Sequence, residues 1–166
     1  EAGALHRLDP DGRVTTLADC ISMSNGMGTS PDGKRLYHSR TFEGLFVYEL
    51  APDGNIVGTK QLVAFRDSDG LAVDCEEGIW VCHCRSGEVR RYRPDGSLER
   101  TVQAPARDVL TLAFGGADLK DLYIVTAFAG AGNESLGTAP SKTGAIYKTR
   151  SPVAGQKTAR TRLVTR

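Results

Sequence analysis

A strand-turn-strand pattern recurs at a fixed interval along the chain, and this repeat restricts the folds open to it. Three related segments turn at Gly12, Gly54 and Gly96, each 42 residues from the next. A fourth copy follows a Gly-, Ala- and Ser-rich insertion at about residues 127–143. Fixed periods of roughly 20 to 50 residues are typical of solenoid and propeller proteins. The four segments are ALHRLDPDGRV, LFVYELAPDGNI, EVRRYRPDGSL and GAIYKTRSPVAGQ.

A second series of hairpins alternates with the first and turns at Gly33, Gly78 and Gly116. One period therefore contains about four short strands, and no segment has the apolar spacing of a helix. Four-stranded antiparallel repeats of this length are typical of propeller blades. A β-sandwich also has closely spaced short strands, but it does not require every second hairpin to repeat its own sequence. The sequence predicts an all-β propeller that forms a single domain over residues 1–166.

The chain contains just under four periods and begins without Met. An open arc of blades would leave strand edges and apolar faces uncovered, which favours aggregation. We therefore expect the ring to be closed by upstream sequence or by a partner copy.

Charge and hydropathy exclude two classes of partner. The 21 basic and 20 acidic residues give a net charge of +1 and form no basic stripe, so nucleic acid is not expected as a partner. No apolar run approaches the roughly 20 residues of a membrane span.

The four cysteines lack the dense spacing of a disulfide-stapled module and predict reduced thiols in a cytoplasmic protein. The Cys82-His83-Cys84 run has no further ligands at zinc-site spacing, which favours buried thiols over a zinc site.

Two polar residues occupy the same position in successive copies of the second series. Asn25 and Asp69 are 44 residues apart, and each precedes a glycine and an innermost strand. Equivalent positions of neighbouring blades converge on the channel, where amide and carboxylate oxygens favour a hard divalent cation. The third copy has Leu110 at this position, so the oxygen cluster would lie on one side only. Asn-Gly and Asp-Gly are also frequent hairpin turns, and spacing alone leaves both interpretations open.

The remaining Asp-Gly pairs have a preceding residue that sets them apart. Each of them follows a proline, which prepares the chain for a β-turn. They are predicted to be turns only. Their glycines are Gly12, Gly33, Gly54 and Gly96.

Several motifs in the chain, taken in order, resemble the SMP-30/gluconolactonase/regucalcin family. The resemblance extends over essentially all 166 residues. It implies a six-bladed propeller with one divalent cation in its channel, of which this chain supplies about four blades and lacks about two N-terminal ones. The motifs are SNGMGTSPDGKRLY, DGLAVDCEEGIWV, VRRYRPDG, FGGADLKDLYIVTA and GAIYKT with PVAG.

The resemblance also implies roles for individual residues. Asn25 matches the metal-binding Asn of the family's S-N-G motif, and Asp69 matches the metal-binding Asp of its P-D-G motif. Position 68 is Ser where the family usually has Pro, and Arg40 stands where an Asp is common in a Y-x-x-D-[ST] strand. Arg40 is either an anchor for an anionic substrate or a surface strand residue. His83 either lines the channel mouth as a substrate contact or packs within its strand.

The expected activity is metal-dependent hydrolysis of a small sugar lactone to the corresponding acid. The resemblance favours Ca²⁺, with Zn²⁺, Mn²⁺ and Mg²⁺ as alternatives, and it makes Asp69 a cation ligand first and a base for water second. The other metal ligands would lie upstream of residue 1, so the chain alone is expected to be inactive. The whole protein is expected to be a monomer or weak dimer. Two alternatives stay open: a non-enzymatic propeller that binds calcium or a partner, and a propeller esterase or synthase for bulkier substrates.

Overall fold

The computed structural model describes residues 3–127 and 144–157, which form thirteen β-strands and no helix. Most of the Gly-, Ala- and Ser-rich insertion lies outside the described residues. The strands are β1 Gly3–Leu8, β2 Val14–Ile21, β3 Ser24–Thr29, β4 Arg35–Arg40, β5 Gly44–Leu50, β6 Ile56–Ala64, β7 Ser68–Val73, β8 Ile79–His83, β9 Glu88–Tyr92, β10 Leu98–Gln103, β11 Asp108–Gly115, β12 Asp121–Ala127 and β13 Ala145–Arg150.

The strands form four antiparallel sheets in which each strand pairs with its neighbour in the chain. Strands β3–β6 and β7–β10 each make a four-stranded sheet, β1 and β2 make a pair, and β11–β13 make a three-stranded sheet. The all-β prediction is confirmed. The sheets follow the predicted repeat, because each four-stranded sheet contains one hairpin of the first series and one hairpin of the second. The six-bladed ring and the missing N-terminal blades stay predictions.

The predicted turns form where proline precedes Asp-Gly. Gly12, Gly33, Gly54 and Gly96 all have positive φ angles, between 70° and 92°. In each turn the glycine N–H donates to a carbonyl three residues earlier, as from Gly54 to Ala51 at 2.8 Å. These glycines therefore act as turn residues, which separates them from the glycines that follow Asn25 and Asp69.

Three apolar layers lie between successive sheets and hold them face to face. The layer between β3–β6 and β7–β10 contains Tyr37, Leu45 and Val81, all of them fully buried. In the next layer the Trp80 ring meets Phe114 edge-on, with ring centroids 5.8 Å apart. Burial of this apolar surface is the main favourable term in folding, and it aligns the first strands β3, β7 and β11 side by side.

Two glycines let the first strands approach backbone to backbone. A Cβ atom on Gly26 would overlap the main chain of Gly70 and Leu71, and one on Gly70 would lie 2.7 Å from the Leu110 carbonyl oxygen. Neither glycine has a positive φ angle. Both are therefore required for close approach, and the spacing of the three innermost strands depends on them.

The segment 151–157 returns from β13 and crosses the far ends of the first strands. Its Gly155 N–H donates to the Leu119 carbonyl at 2.8 Å. The Gln156 side-chain amide donates to the carbonyls of Thr29 at 2.9 Å and Val73 at 3.3 Å. Thr29 and Val73 are the last residues of β3 and β7, so this segment joins the two strands at the ends opposite Asn25 and Asp69.

We expect Gly26→Ala to lower the free energy of unfolding by about 2–3 kcal/mol, since the added methyl group meets main chain that cannot rotate away. Urea unfolding of the intact protein measures this change. Gly58→Ala is the matched control, because a Cβ there lies at an ordinary 3.5 Å from the Glu49 side chain. We expect Gly58→Ala to shift stability by no more than about 0.5 kcal/mol. Equal effects of the two variants would contradict the close-approach role of Gly26.

Candidate functional site

Asn25 and Asp69 lie together between two neighbouring sheets. Each is the second residue of a first strand, β3 or β7, and neither lies in a hairpin turn. The Asn25 side chain lies beside the Asp69 carboxylate, close enough to lower the pKa of that carboxyl. Both residues are half-buried. The structure thus brings together the two residues paired by their spacing in the sequence, while their role as metal ligands stays a prediction.

A β-bulge places both side chains in this position. The ladder of β3 with β4 is interrupted between Ser24 and Met27, and the ladder of β7 with β8 is interrupted between Ser68 and Leu71. The two interruptions enclose Asn25 and Asp69. Bulges bend a strand and re-aim its side chains, and they are frequent beside functional sites. The Asn-Gly and Asp-Gly pairs therefore serve here as bulges within strands.

The third sheet corrects one position of the repeat alignment. Ser24, Ser68 and Asp108 each begin a first strand and pair with the last residue of the next strand. Counting from these residues, the equivalent of Asn25 and Asp69 is Val109, one residue before Leu110. The alignment from sequence was wrong here because β11 has Leu110 where β3 and β7 have the glycine that marks the position, Gly26 or Gly70. Val109 is fully buried and apolar, so the third strand supplies no side-chain oxygen at this position.

Burial dominates the electrostatics of Asp69. It raises the pKa of the Asp69 carboxyl above its usual range, while the hydrogen bonds from Asn25 and from the Gly70 N–H oppose this rise. No Lys or Arg in residues 3–127 and 144–157 forms a salt bridge with Asp69. A carboxylate removed from water without a cationic partner is stabilised when a cation binds to it.

Thr41 links the two candidate residues, and sequence reasoning missed it. The Asn25 Nδ2 donates to the Thr41 Oγ1 at 3.3 Å, and the Thr41 Oγ1 donates to the Ser68 carbonyl at 2.7 Å. Thr41 is buried and follows directly after β4. It occupies the final [ST] position of the Y-x-x-D-[ST] strand, which is the signal that identifies it.

The Arg40 side chain is engaged within its own sheet. Its guanidinium donates to the Tyr48 hydroxyl at 2.6 and 3.1 Å and to Glu43 at 3.3 Å, and it lies 4.1 Å from the centroid of the Phe46 ring. Among the described residues it contacts neither Asn25 nor Asp69 through a hydrogen bond. The role of Arg40 as an anchor for an anionic substrate stays a prediction, and its charge is already balanced by Glu43.

His83 occupies the position equivalent to Arg40 and is fully buried. Its Nδ1 contacts the Asp67 carboxylate at 2.8 Å, its Nε2 contacts the Tyr92 hydroxyl at 3.2 Å, and Phe65 packs edge-on against the ring. Burial lowers the pKa of His83, and the hydrogen bond with Asp67 opposes that effect. The substrate role of His83 stays a prediction, and both ring nitrogens are occupied by neighbouring side chains.

A cavity of about 600 Å³ lies elsewhere on the first strands. It adjoins Gly28, Leu71, Phe114 and Gln156, towards the ends that the returning segment crosses. Among the described residues that line it there is no carboxylate or imidazole. The chemistry expected from the sequence therefore belongs to Asn25 and Asp69 and not to this cavity.

The oxygen donors of Asn25 and Asp69 suit a hard divalent cation in chemistry but not in number. One amide and one carboxylate are typical ligands of Ca²⁺, which takes 6–8 oxygens in all. Within the part of the chain that the structure describes, no group of three or more His, Cys, Asp or Glu side chains can hold a metal ion. The pair therefore fits as part of a cation site whose other ligands come from water or from outside the described residues.

The sheet array and its paired oxygen donors place the chain in a known class of proteins. Residues 1–128 match the family described as SMP-30/Gluconolactonase/LRE-like region. The chain belongs to this family, as its motifs indicated. No helix among residues 3–127 and 144–157 has the length and apolar character to cross a membrane.

Named relatives include lactonases. The chain is 36% identical over 159 residues to pentonolactonase XacC of Haloferax volcanii, covering 88% of this chain and 53% of that protein. It is also 36% identical over 160 residues to 6-deoxy-6-sulfogluconolactonase of Pseudomonas putida, covering 92% and 54%. The chain thus spans about half the length of the curated relatives it matches.

Solved structures agree with this fold. The calcium-binding protein regucalcin of Agrobacterium tumefaciens superposes with a TM-score of 0.80 at 25% identity, covering 94% of this chain and 55% of that one. A luciferin-regenerating enzyme gives the same TM-score at 24% identity, covering 93% and 54%, and supports the fold alone.

The raised pKa of Asp69 predicts how replacing its carboxyl with a neutral amide changes the stability of the protein. Because this pKa is raised, the folded chain binds the carboxyl proton more tightly than the unfolded chain does. That linkage favours folding below the unfolded pKa and is lost as the pH rises through the folded pKa. We expect Asp69→Asn, which is neutral at every pH, to raise the thermal midpoint of the cation-free protein at pH 7. The gain should shrink as the pH falls towards about 4.

Asp95→Asn provides a control of opposite sign. Hydrogen bonds from the Ser97 N–H and hydroxyl lower the pKa of this exposed turn carboxylate, so its contribution to stability is present at pH 7 and lost in acid. We expect Asp95→Asn to lower the midpoint slightly at pH 7. Circular dichroism melts between pH 4 and pH 7.5 measure both variants, and a lower midpoint for Asp69→Asn at pH 7 would contradict the buried-carboxylate interpretation.

Proposed function

We propose that the protein containing this chain hydrolyses a small sugar lactone and that Asn25 and Asp69 hold part of a divalent cation site for this reaction. The observation that carries the proposal is the pairing of an amide and a half-buried carboxylate between adjacent sheets, in a chain whose relatives include named lactonases. An L-arabinolactonase of Azospirillum brasilense, 28% identical over 164 residues, adds a third relative with such a name.

A bound divalent cation would supply Lewis-acid polarisation of the lactone carbonyl. Asp69 and Asn25 would contribute oxygen ligands to it, with Ca²⁺ favoured and Zn²⁺, Mn²⁺ or Mg²⁺ as alternatives. The bulges of β3 and β7 hold these oxygens on adjacent strands before any ligand arrives, and such preorganisation is the main source of electrostatic catalysis.

In the proposed reaction, water adds to the carbonyl carbon, the ring C–O bond breaks, and the former ring oxygen takes a proton to become a hydroxyl. Asp69 has two possible parts in this step, as a ligand or as the base that accepts a proton from water. Burial raises the pKa of Asp69, which favours its role as a base. A bound cation would lower this pKa again and so weaken the carboxylate as a base. We therefore assign Asp69 as ligand first and base second. Asn25 does not titrate, and its Oδ1 would orient the cation or a substrate oxygen.

Arg40 and His83 stay candidates for contact with the substrate, and neither is needed for the proposed cation site. The Arg40 guanidinium is bonded to Tyr48 and Glu43, and the His83 ring is bonded to Asp67 and Tyr92. A substrate that used either residue would first have to displace these partners. The cytoplasmic location and the monomeric or weakly dimeric state of the whole protein stay predictions.

A non-enzymatic calcium-binding propeller is the second candidate function. It is favoured by the similarity to a solved regucalcin described as a calcium-binding protein. The two functions differ in one measurable respect, because the second predicts Ca²⁺ binding without release of acid from any lactone.

We expect the intact protein to release acid from gluconolactone or arabinolactone and to lose this activity with a chelator. Asp69→Ala and Asn25→Ala should each lower kcat/KM at least 100-fold, as is common when a group that stabilises the transition state is removed. A pH-stat assay with Ca²⁺, Mn²⁺ or Zn²⁺ measures the rates. Asp95→Ala is the matched control, since this carboxylate lies in a surface turn and should leave the rate unchanged. Activity that survives both chelation and Asp69→Ala would exclude the proposed site.

We also expect the 166-residue chain alone to show no measurable lactone hydrolysis. Its described residues would supply two of the several oxygen ligands that a cation needs, and they contain no group of three or more His, Cys, Asp or Glu that could hold one. The same pH-stat assay, run on a purified monomer at several chain concentrations, tests this expectation. Robust turnover would mean that the chain holds a complete site and would contradict the division of ligands proposed here.

A further inference from the structure

Thr41 stands between the two candidate ligands and contacts both strands that carry them. It follows β4 in one sheet, its Oγ1 accepts from the Asn25 amide at 3.3 Å in the same sheet, and it donates to the Ser68 carbonyl at 2.7 Å in the next sheet. Ser68 directly precedes Asp69. One hydroxyl group therefore fixes the Asn25 side chain and the main chain beside Asp69 at once.

The protons of this arrangement can be counted. A threonine hydroxyl has one hydrogen, and a carbonyl oxygen can only accept. The hydrogen of Thr41 is committed to the Ser68 carbonyl at the short distance of 2.7 Å, so towards Asn25 the Thr41 oxygen can only accept. Asn25 must then turn its Nδ2 towards Thr41, which leaves its Oδ1 on the other side of the amide.

The second contact of Asn25 has the same direction. An ionised carboxylate only accepts, so an interaction of Asn25 that favours the ionised form of Asp69 also uses the Nδ2. The Oδ1 of Asn25 has no hydrogen-bond donor among residues 3–127 and 144–157. Of the two groups that the Nδ2 faces, Asp69 would also bind the cation, whereas the Thr41 hydroxyl would bind only Asn25 and the Ser68 carbonyl.

Two further hydroxyl groups are buried close to Thr41 in sequence or across the sheets, and neither duplicates its link to β7. The Ser68 Oγ is fully buried and has no hydrogen-bond partner among the described residues, and the same holds for Ser39, two residues before Thr41 on the strand. The Thr41 hydroxyl is therefore the one of these three buried hydroxyls that forms a bond between the two sheets.

We propose that Thr41 is a positioning residue of the site: its hydroxyl sets the amide orientation of Asn25, so that the Oδ1 is presented as a ligand, and holds the start of β7 that carries Asp69. This inference rests on the proposed function, because it assigns Thr41 a task towards the cation that Asn25 and Asp69 would share. Partners that orient a ligand in this way typically change metal affinity by 10- to 100-fold when removed.

The test compares Thr41→Val, which keeps the shape and loses the hydroxyl, with Thr41→Ser, which keeps the hydroxyl. Thr126→Val is the matched control, because Thr126 is also buried and also bonds a main-chain carbonyl, that of Ala145, in the β11–β13 sheet, which contains neither Asn25 nor Asp69. Isothermal titration of the intact protein with Ca²⁺ gives the dissociation constant of each variant. Circular dichroism melts without cation give their stability.

We expect Thr41→Val to weaken Ca²⁺ binding by about 10-fold or more and Thr41→Ser to stay within about 3-fold of wild type. Thr126→Val should bind Ca²⁺ as wild type does. Wild-type affinity in Thr41→Val would overturn the proposal, and so would equal losses in Thr41→Val and Thr41→Ser, or in Thr41→Val and Thr126→Val.

A separate signal distinguishes failure of this inference from failure of the proposed function. If the wild-type protein neither binds Ca²⁺ nor hydrolyses lactones, the proposed function fails, but the ¹⁵N NMR signal of the Asn25 side chain still reports on Thr41. An amide held by Thr41 shows slow hydrogen exchange in the wild type and in Thr41→Ser and faster exchange in Thr41→Val. Equal exchange in all three proteins would overturn the positioning role.

Discussion

The backbone contact between the first strands, permitted by Gly26 and Gly70, is the constraint on which the rest of this structure depends. Side chains at these two positions would separate β3, β7 and β11. Separation would open the apolar layers that contain Tyr37 and Trp80 and would move Asn25 away from Asp69. Close packing of the sheets and assembly of the candidate site therefore have one physical cause, since interiors packed as tightly as crystals transmit small displacements.

The candidate site keeps a destabilising group that the fold alone does not require. Asp69 is half-buried beside the neutral side chain of Asn25, with no cationic partner in residues 3–127 and 144–157. Elsewhere in the same sheet, buried Asp74 accepts hydrogen bonds from Arg91, Trp80 and two main-chain N–H groups. Asp74 thus supports the structure, whereas Asp69 is available to a ligand. Proteins commonly retain the loss of stability caused by such a carboxylate where function requires it.

Local patterns in the sequence predicted the architecture well, because turns and strand periodicity depend on neighbouring residues. The Pro-Asp-Gly turns and the pairing of Asn25 with Asp69 follow from the repeat. The partners of Arg40 and the role of Thr41 could not be predicted in this way, since both depend on contacts across strands and sheets. The alignment of Leu110 was wrong because β11 lacks the glycine that marks this position in β3 and β7.

The returning segment affects the order in which this part of the molecule can be completed. Gln156 bonds Thr29 across 127 residues of chain. Contacts between such distant residues form after local hairpins, because a long loop must be closed first. During synthesis on the ribosome, β3 and β7 can therefore pair with their own neighbours long before their far ends are clasped together. Until these hydrogen bonds form, the apolar layer around Tyr37, the glycine contact and the Thr41 hydrogen bond hold the two strands side by side.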